Sequence, residues 1–419
     1  MFGIPIVIWE NLWLAFKIVW KLAPIWLPLA FVVAAAKAWL AYKRADYWNN
    51  KLGSLVLEIK LPRDVFKSPL AMELVLNQLH QTADEGNNYF KYWKGQTRSW
   101  FSLELVSFGG EIHFYIWTRK KYRNGLEAYL YSQYPGVEVR EVEDYTKNYY
   151  YDPNQHKLFA CQWKLDDPDP YPISTYVDYG LDKDPKEEYK IDPMTSQLEF
   201  LGTLRKGHTI WIQIIVRAHK KEKRLLPINK WFSEFALFEE VDSWKADAKA
   251  EIDKIRKALQ PEGNTFPRLA TKGEQDKMAA LERSIGKLGF DVTIRSLYFA
   301  KKEEYDAVYL GGMLGSFKQY SALGYNSFKG AGWSSTYSNP PKDWWKPDQA
   351  TLLKRAFDEY KLRRFFFSPY RGKWYYSEPF VLNSEELATI YHLPGAVAGT
   401  PTLDRVPSRK VDAPYNLPI

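Results

Sequence analysis

Residues 98–120 read RSWFSLELVSFGGEIHFYIWTRK. Apolar and polar residues alternate on either side of Gly109-Gly110. That period of two sends successive side chains to opposite faces of a strand, and paired glycines supply the backbone angles a tight turn needs. The stretch is therefore expected to be a β-hairpin. Before it, LVLEIKLP (55–62) alternates like a strand. SPLAMELVLNQLHQTA (68–83) then places Ser68 as a cap and Pro69 at the first helical position, ahead of apolar residues at helical spacing. After the hairpin come a helical YRNGLEAYLYSQYP (122–135) and a strand in VEVREVEDY (137–145). The order β-α-β-β-α-β is that of a ferredoxin-like unit, whose four-stranded antiparallel sheet packs two helices on one face and leaves the other free for a partner.

A second pass of the same order follows, with longer insertions. HKLFACQWKL (156–165) reads as a strand, DPMTSQLEFLGTL (192–204) as a helix capped by Asp192, and HTIWIQIIVRAHK (208–220) as a β-branched strand. A Lys-, Glu- and Ala-rich stretch near 230–288 is expected to be helical. It leads to a strand in DVTIRSLYFA (291–300), a helix in EEYDAVYLGGMLGSFKQYSAL (303–323) and a last strand in LRRFFFSP (362–369). GYNSFKGAGWSSTYSNPPKDWWK (324–346) is rich in Gly, Ser and Pro and reads as a long loop. The tail from 393 carries prolines at 394, 401, 407, 414 and 418, which exclude a helix or central strand and give an extended connector.

The N-terminal region is of a different kind. Leu22 to Ala36 is free of charge, and the apolar run continues to 42 with one interruption at Lys37. Roughly 20 such residues suffice to cross a hydrocarbon core as a helix, with Lys37 snorkelling to an interface. Before it, Trp9, Trp13, Phe16 and Trp20 share one helical face and Glu10, Lys17 and Lys21 another, as in a helix lying in the headgroup layer; Trp26 and Trp39 flank the span. Six of the 17 tryptophans fall in the first 48 residues, so much of the aromatic surplus belongs to this membrane-interface belt. A cleaved signal peptide, with its apolar core ending in AAA, and a buried core helix are the competing readings. Lys37, Lys43, Arg44 and Lys51 outnumber Lys17 and Lys21, which places the large domain in the cytoplasm.

The expected fold class is thus α+β: an interfacial helix (1–21), a transmembrane helix (22–42), two tandem ferredoxin-like modules (55–150 and 155–392, the second with a helical insertion), and a proline-rich tail (393–419). The composition, 46% hydrophobic and 26% charged, is globular, and the single cysteine, Cys161, excludes an internal disulfide framework.

Catalytic signatures are missing from the sequence. No phosphate-loop pattern occurs, and GGMLGSFK (311–318) reads instead as small residues at a helix-packing contact. The six histidines and one cysteine show no metal-ligand spacing, and Cys161 in its strand is expected to be a buried structural thiol. The acidic pair Glu385-Glu386 fits a helix start. No catalytic, cofactor or metal residue is therefore assigned. Two basic stretches remain. RAHKKEKR offers Arg217, Lys220, Lys221, Lys223 and Arg224 to phosphates or acidic lipids, the alternative being a solvated loop; net charge is +8. KDWWK interleaves Trp344 and Trp345 with lysine as nucleic-acid stacking platforms do, the alternative being a loop tucked onto the surface.

The chain resembles the domain of unknown function that lies N-terminal to the RecA-like ATPase in type IV secretion and conjugation-type motor proteins of uncultured bacterial lineages. The residues that carry the resemblance are LEIKLPRDVFKSPLAMELVLNQLH, SLELVSFGGEIHFYIWT, EAYLYSQYPGVEVREVEDY, IWIQIIVR, FKQYSALGYNSF and FVLNSEELATIYHLPG. The closing TPTLDRVPSRKVDAPYNLPI is similar to the linker that leads into the ATPase. The resemblance implies that nucleotide chemistry belongs to that following domain, before which this chain stops. The expectation is a single-pass protein of the bacterial inner membrane that serves as a non-catalytic docking subunit for a RecA-like ATPase on a separate chain. Arg405, Arg409, Lys410 and Tyr415 in the tail are the candidate docking residues. A homo-oligomer and a DNA contact are further partner readings, and the alternative function is a membrane-tethered nucleic-acid-binding module.

Overall fold

The computed structural model describes residues 6–48, 53–62, 67–182, 192–225, 238–259, 269–322, 324–332, 349–366, 378–394 and 405–406. The chain divides into two compact units. The first comprises Met1–Leu52, Asp84–Thr97 and Phe366–Arg371, and the second comprises Gly53–Ala83, Arg98–Phe365 and Gly372–Ile419.

In the first unit, α1 (Ile6–Lys21) is followed after Leu22 by α2 (Ala23–Asp46). Pro24 enters at the first turn, where its missing N–H leaves nothing unsatisfied, and the Trp26 ring N–H donates to the Val19 carbonyl across the joint (2.9 Å). Trp13, Phe16 and Trp20 stack in series at 5.5 and 6.1 Å, as their spacing on one face of a helix requires. No residue of α2 is buried. Its 24 residues are long and apolar enough to cross a membrane, and a signal sequence near an N-terminus meets the same criteria.

The second unit is built on one sheet. Its elements in chain order begin with β1 (Ser54–Pro62), α3 (Leu70–Leu79), β2 (Phe101–Phe108), β3 (Glu111–Arg119), α4 (Arg123–Gln133) and β4 (Glu138–Val142). They continue with β5 (His156–Leu165), α5 (Pro193–Gly202), β6 (Thr209–Ala218), the small hairpin β7 (Glu222–Leu225) and β8 (Phe238–Val241), α6 (Ser243–Leu259) and α7 (Lys272–Ile285). Last come β9 (Gly289–Lys301), α8 (Val308–Gly315), β10 (Phe328–Gly332), α9 (Gln349–Leu362), β11 (Phe380–Asn383), α10 (Ser384–Ile390) and β12 (Arg405–Val406). The strand order is β10-β5-β9-β6-β2-β3-β1, with β4 and β12 on β1 and β11 on β9. Nine strands are antiparallel; β12 is a two-residue parallel bridge to Leu61 and Pro62.

The Gly109-Gly110 turn is where the hairpin reading predicted it, at φ +59° and +98°. A Cβ on Gly110 would sit 2.8 Å from the Leu204 carbonyl oxygen, so the turn needs glycine for its backbone angle and for the close approach of the loop before β6. Gly110→Ala is expected to lower the unfolding free energy by about 1–3 kcal/mol, read as a lower denaturant midpoint.

One face of the sheet forms the main core. Leu57, Ile59, Leu103, Leu105, Phe114, Ile116, Ile212, Ile214 and Ile294 pack there with Met72, Val75 and Leu76 of α3, Leu126 and Leu130 of α4, Met194 and Leu198 of α5, Met313 of α8 and Leu387 of α10. Gly312 is pressed against the Phe200 ring, so the glycines of GGMLG mark the packing contact between α8 and α5 that the sequence pointed to. The other face was expected to be open and is not. Trp211 on β6 and Phe299 on β9 lie beneath Phe357 and Tyr360 of α9 and beneath Tyr145 and Tyr149 of the segment after β4. With both faces covered, β9 is buried from Gly289 to Ala300 without alternation.

Three local expectations are corrected. The stretch 324–346 contains β10, which pairs with β5 from Phe328↔Leu165 to Gly332↔Cys161. The stretch 362–369 holds no strand among its described residues: α9 ends at Leu362, and Arg363 follows in the left-handed region at φ +50°. The stretch 230–288 is interrupted by β8 ahead of two separate helices.

Candidate functional site

An open cleft of about 610 Å³ lies at the end of the sheet where the β2–β3 turn meets the starts of β5 and β6 and the end of β9. Phe108, Tyr149, Phe299, His156 and Tyr150 form its aromatic wall. Phe108 stacks on Tyr149 (5.6 Å) and His156 on Phe299 (4.8 Å), while Tyr149 meets Phe299 edge-on (6.0 Å) and Tyr150 meets His156 edge-on (5.2 Å). These residues come together because the strand ends converge there and because the segment after β4 crosses the sheet. Burial pushes the Tyr149 hydroxyl above its ordinary pKa against a hydrogen bond from Thr209, so it stays protonated at neutral pH.

The rim is charged. Lys206, Lys301 and Glu304 are exposed at the opening, and none of the three makes an ion pair among the described residues. Gly207 adopts φ +90° and lets the Glu304 carboxylate close over it, where any Cβ would collide. Deeper in, the His208 Nδ1 pairs with the Tyr298 hydroxyl (2.8 Å), which also accepts the Asp306 N–H (3.1 Å). A ring wall that is half-buried at Phe108, Tyr149 and His156, buried at Phe299 and exposed at Tyr150, beside two ammonium groups, suits a flat, anionic ligand. Among the described residues, no group of three or more His, Cys, Asp or Glu is placed to hold a metal ion.

The residues singled out in the sequence are not gathered in this cleft. Arg217 is half-buried and turned inward, pairing through Nε (3.0 Å) and Nη2 (2.5 Å) with Asp291, whose other oxygen meets His219 Nδ1 (2.6 Å). Burial alone would raise the Asp291 carboxyl, but the His219 hydrogen bond and the Arg217 charge hold it below the usual carboxylate range. Lys220 and Lys221 are exposed after β6; Lys223 and Arg224 lie on β7 opposite Glu240 and Glu239, and their side chains lie outside the described residues. Trp344, Trp345, Arg409, Lys410 and Tyr415 are also outside the described residues, as is the Trp9 side chain, whereas Arg405 sits on β12 opposite Leu61. Trp13, Phe16, Trp20, Trp26 and Trp39 are exposed on α1 and α2. Cys161 is buried in β5, and burial pushes its thiol up to about 12, which makes it a structural residue.

Several buried charges of this unit are paired with one another. Arg363 grips Glu104 through two hydrogen bonds (2.7 and 2.9 Å) and Asp144 through two more (2.6 and 3.1 Å). Glu73 on α3 takes Lys287 (2.6 Å) and the Tyr176 hydroxyl (2.6 Å), and Glu385 on α10 takes Arg283 (3.0 Å) and the Thr175 hydroxyl (2.6 Å). His392 bridges Asp192 (2.9 Å) and the Ala388 carbonyl (2.9 Å). Each set fastens one element to another.

Glu386 is the exception in its titration. It closes the capping box of α10 and accepts from the N–H groups of Asn383 (2.8 Å) and Ile173 (2.9 Å), yet full burial pushes its carboxyl up to about 8 against those two bonds. The folded state then holds a proton that the unfolded state releases. This stabilisation is complete below the unfolded carboxyl value and is lost as pH rises through about 8. Glu386→Gln is expected to flatten the decline in unfolding free energy between pH 5 and 8, which otherwise approaches about 1.4 kcal/mol per pH unit. Denaturation midpoints of both chains across that range check it.

A ten-stranded α+β sheet domain with both faces covered, carrying an aromatic and basic cleft, defines the class of protein. Residues 53–406 match the domain of unknown function DUF8128, and the chain belongs to that family. No curated protein matches the chain.

Proposed function

We propose that this protein is a membrane-anchored, non-catalytic platform that positions a RecA-like ATPase, carried on a separate chain, at the inner face of a bacterial inner membrane. The observation that carries the reading is the pairing of an apolar 24-residue helix with no buried residue and a large sheet domain whose buried charges serve its own cohesion. The excess of Lys and Arg in the C-terminal part of α2 and beyond it (Lys37, Lys43, Arg44, Lys51) over Lys17 and Lys21 supports a cytoplasmic sheet domain. The family resemblance supplies the ATPase and the secretion or conjugation setting.

The sheet domain is read as two ferredoxin-like modules fused edge to edge. What supports this is the repeated strand order: β4-β1-β3-β2 in one half and β10-β5-β9-β6 in the other, with β2 and β6 pairing at the seam over Phe101↔Val216 to Phe108↔Thr209. The segment from β7 to α7 is then the insertion of the second module. Because α9 closes the far face, the platform offers its edges, its cleft and its tail, rather than an open sheet, to a partner.

The test is affinity capture from detergent-solubilised membranes. The full chain is expected to retain a RecA-like ATPase and a chain lacking 400–419 to lose it; failure of the full chain to retain such an ATPase contradicts the proposal. The cleft supports a second reading, a membrane-tethered nucleic-acid-binding module, because its ring wall and unpaired Lys206 and Lys301 suit a base and its phosphate. That reading requires single-stranded DNA affinity that falls steeply with salt and is abolished by charge reversal at Lys206 and Lys301.

A further inference from the structure

The insertion between α3 and β2 belongs to the first compact unit, together with α1 and α2. Its centre is a π-helical turn, Tyr89–Trp93, closed by Lys94 N–H to the Tyr89 carbonyl (3.2 Å) and Gln96 N–H to the Phe90 carbonyl (2.9 Å), with the Asn87 side chain accepting the Phe90 N–H (3.2 Å). This built turn presents its rings outward: Tyr89 is 54%, Phe90 41%, Tyr92 52% and Trp93 61% exposed. Four large exposed rings in five residues are unusual for a surface that meets only water.

The turn is fitted to the C-terminal part of α2. Trp93 packs on Trp39 (5.9 Å), and Gly95, at φ +73°, lies so close to α2 that a Cβ there would be 2.5 Å from the Lys43 carbonyl group. Lys43 lies over Trp39 (4.7 Å) and Tyr42 (5.9 Å), Lys91 over Tyr92 (5.7 Å) and Lys94 over Tyr89 (5.9 Å); Lys91 also meets Glu85 (3.6 Å). Rings with amphipathic tips interleaved with lysines, continuous with the end of an apolar helix, match the chemistry of the headgroup layer.

We propose that the Tyr89–Lys94 turn is a second membrane-contact element, a collar that seats its rings in the anionic headgroup layer beside Trp39 while α2 crosses the hydrocarbon. The collar rests on the membrane anchoring proposed above. It fixes the depth of the α2 end, because Trp39, Trp93 and Tyr92 then share one interfacial plane. The lysines face lipid phosphates, with Lys91 also paired to Glu85.

Cys161 is the sole cysteine and is buried, so a fluorophore can be attached to a single introduced thiol on the full-length chain. Leu29→Cys, Tyr92→Cys and Ser132→Cys are each labelled and reconstituted in phosphatidylcholine and phosphatidylglycerol vesicles whose acyl chains carry bromine at shallow or deep positions. The expected result is loss of fluorescence with deep bromine at 29, with shallow bromine at 92, and with neither at 132. Quenching at 29 together with a label at 92 as bright as that at 132 overturns the collar and leaves the anchor standing. Absence of quenching at 29 overturns the anchor, and the collar with it.

Discussion

Arg363→Met lowers the unfolding free energy of the sheet domain by about 3–5 kcal/mol, the cost of leaving a buried charge without its partner. Arg363 and Glu104 are both fully buried, 259 residues apart in sequence, on opposite sides of the contact between α9 and the second face of the sheet. Glu104 also accepts from Ser102 (2.6 Å), Gln213 (3.0 Å) and Tyr145 (2.8 Å), so removal of the guanidinium strands a carboxylate that three neutral donors cannot neutralise. Burial opposes the Arg363 charge, but Glu104 and Asp144 hold the group firmly protonated; the same ion pair keeps Asp144 below the usual carboxylate range despite its own burial. The left-handed backbone of Arg363 is kept in place by this grip and by the Trp100 ring N–H, which donates to its carbonyl (2.8 Å). Denaturation of the detergent-solubilised chain, followed by tryptophan fluorescence, checks the prediction. The double variant Glu104→Leu with Arg363→Met is expected to recover part of the loss, since replacing both members of a buried pair removes the unmatched charge.

Trp211→Ala is expected to cost about 3–5 kcal/mol by a different route, the loss of packed volume. Trp211 is 1% exposed and touches Tyr145, Tyr149, Phe357 and Tyr360, so its ring is the floor on which α9 and the segment after β4 both rest. Its indole N–H has no hydrogen-bond partner among the described residues, and truncation therefore removes packing without breaking a bond to any of them. Trp211→Phe, which keeps most of the ring volume, is expected to cost less than about 1.5 kcal/mol. Because Tyr145 and Tyr360 belong to both the Trp211 and Glu104 environments, the losses in a Trp211→Ala, Arg363→Met double variant should sum to less than their total. Denaturant midpoints of the four chains in that cycle provide the measurement.

The parts of this fold that were legible in the sequence are those decided by near neighbours. The β2–β3 hairpin follows from alternation around two glycines and the start of α5 from Asp192, whose side chain accepts the Met194 N–H (2.8 Å); α3 starts one residue later than read, at Leu70, with Pro69 rather than Ser68 at its N-cap. The strand β10 was not legible because FKGAG contains no β-branched residue; its pairing is imposed by the waiting edge of β5. Glu104 in SLELV reads as the water-facing member of an alternating strand. It is buried because α9, some 250 residues later, covers that face, and no local pattern announces such a cover. The cleft was missed for the same reason: Phe108, Tyr149, His156, Lys206 and Phe299 come from five separate segments, and only the sheet brings them together. Within the 217–224 run, Arg217 turns inward to Asp291, a partner that lies far along the chain and that charge patterning does not reveal.

Fractionation of the full-length protein most directly tests the proposal that this chain works from within a bilayer. Membranes from cells producing it are washed with alkaline carbonate, and the chain is followed in pellet and supernatant. Retention in the washed membranes, with release only by detergent, is the predicted result; recovery of the full-length chain in the carbonate supernatant or the soluble fraction would contradict it.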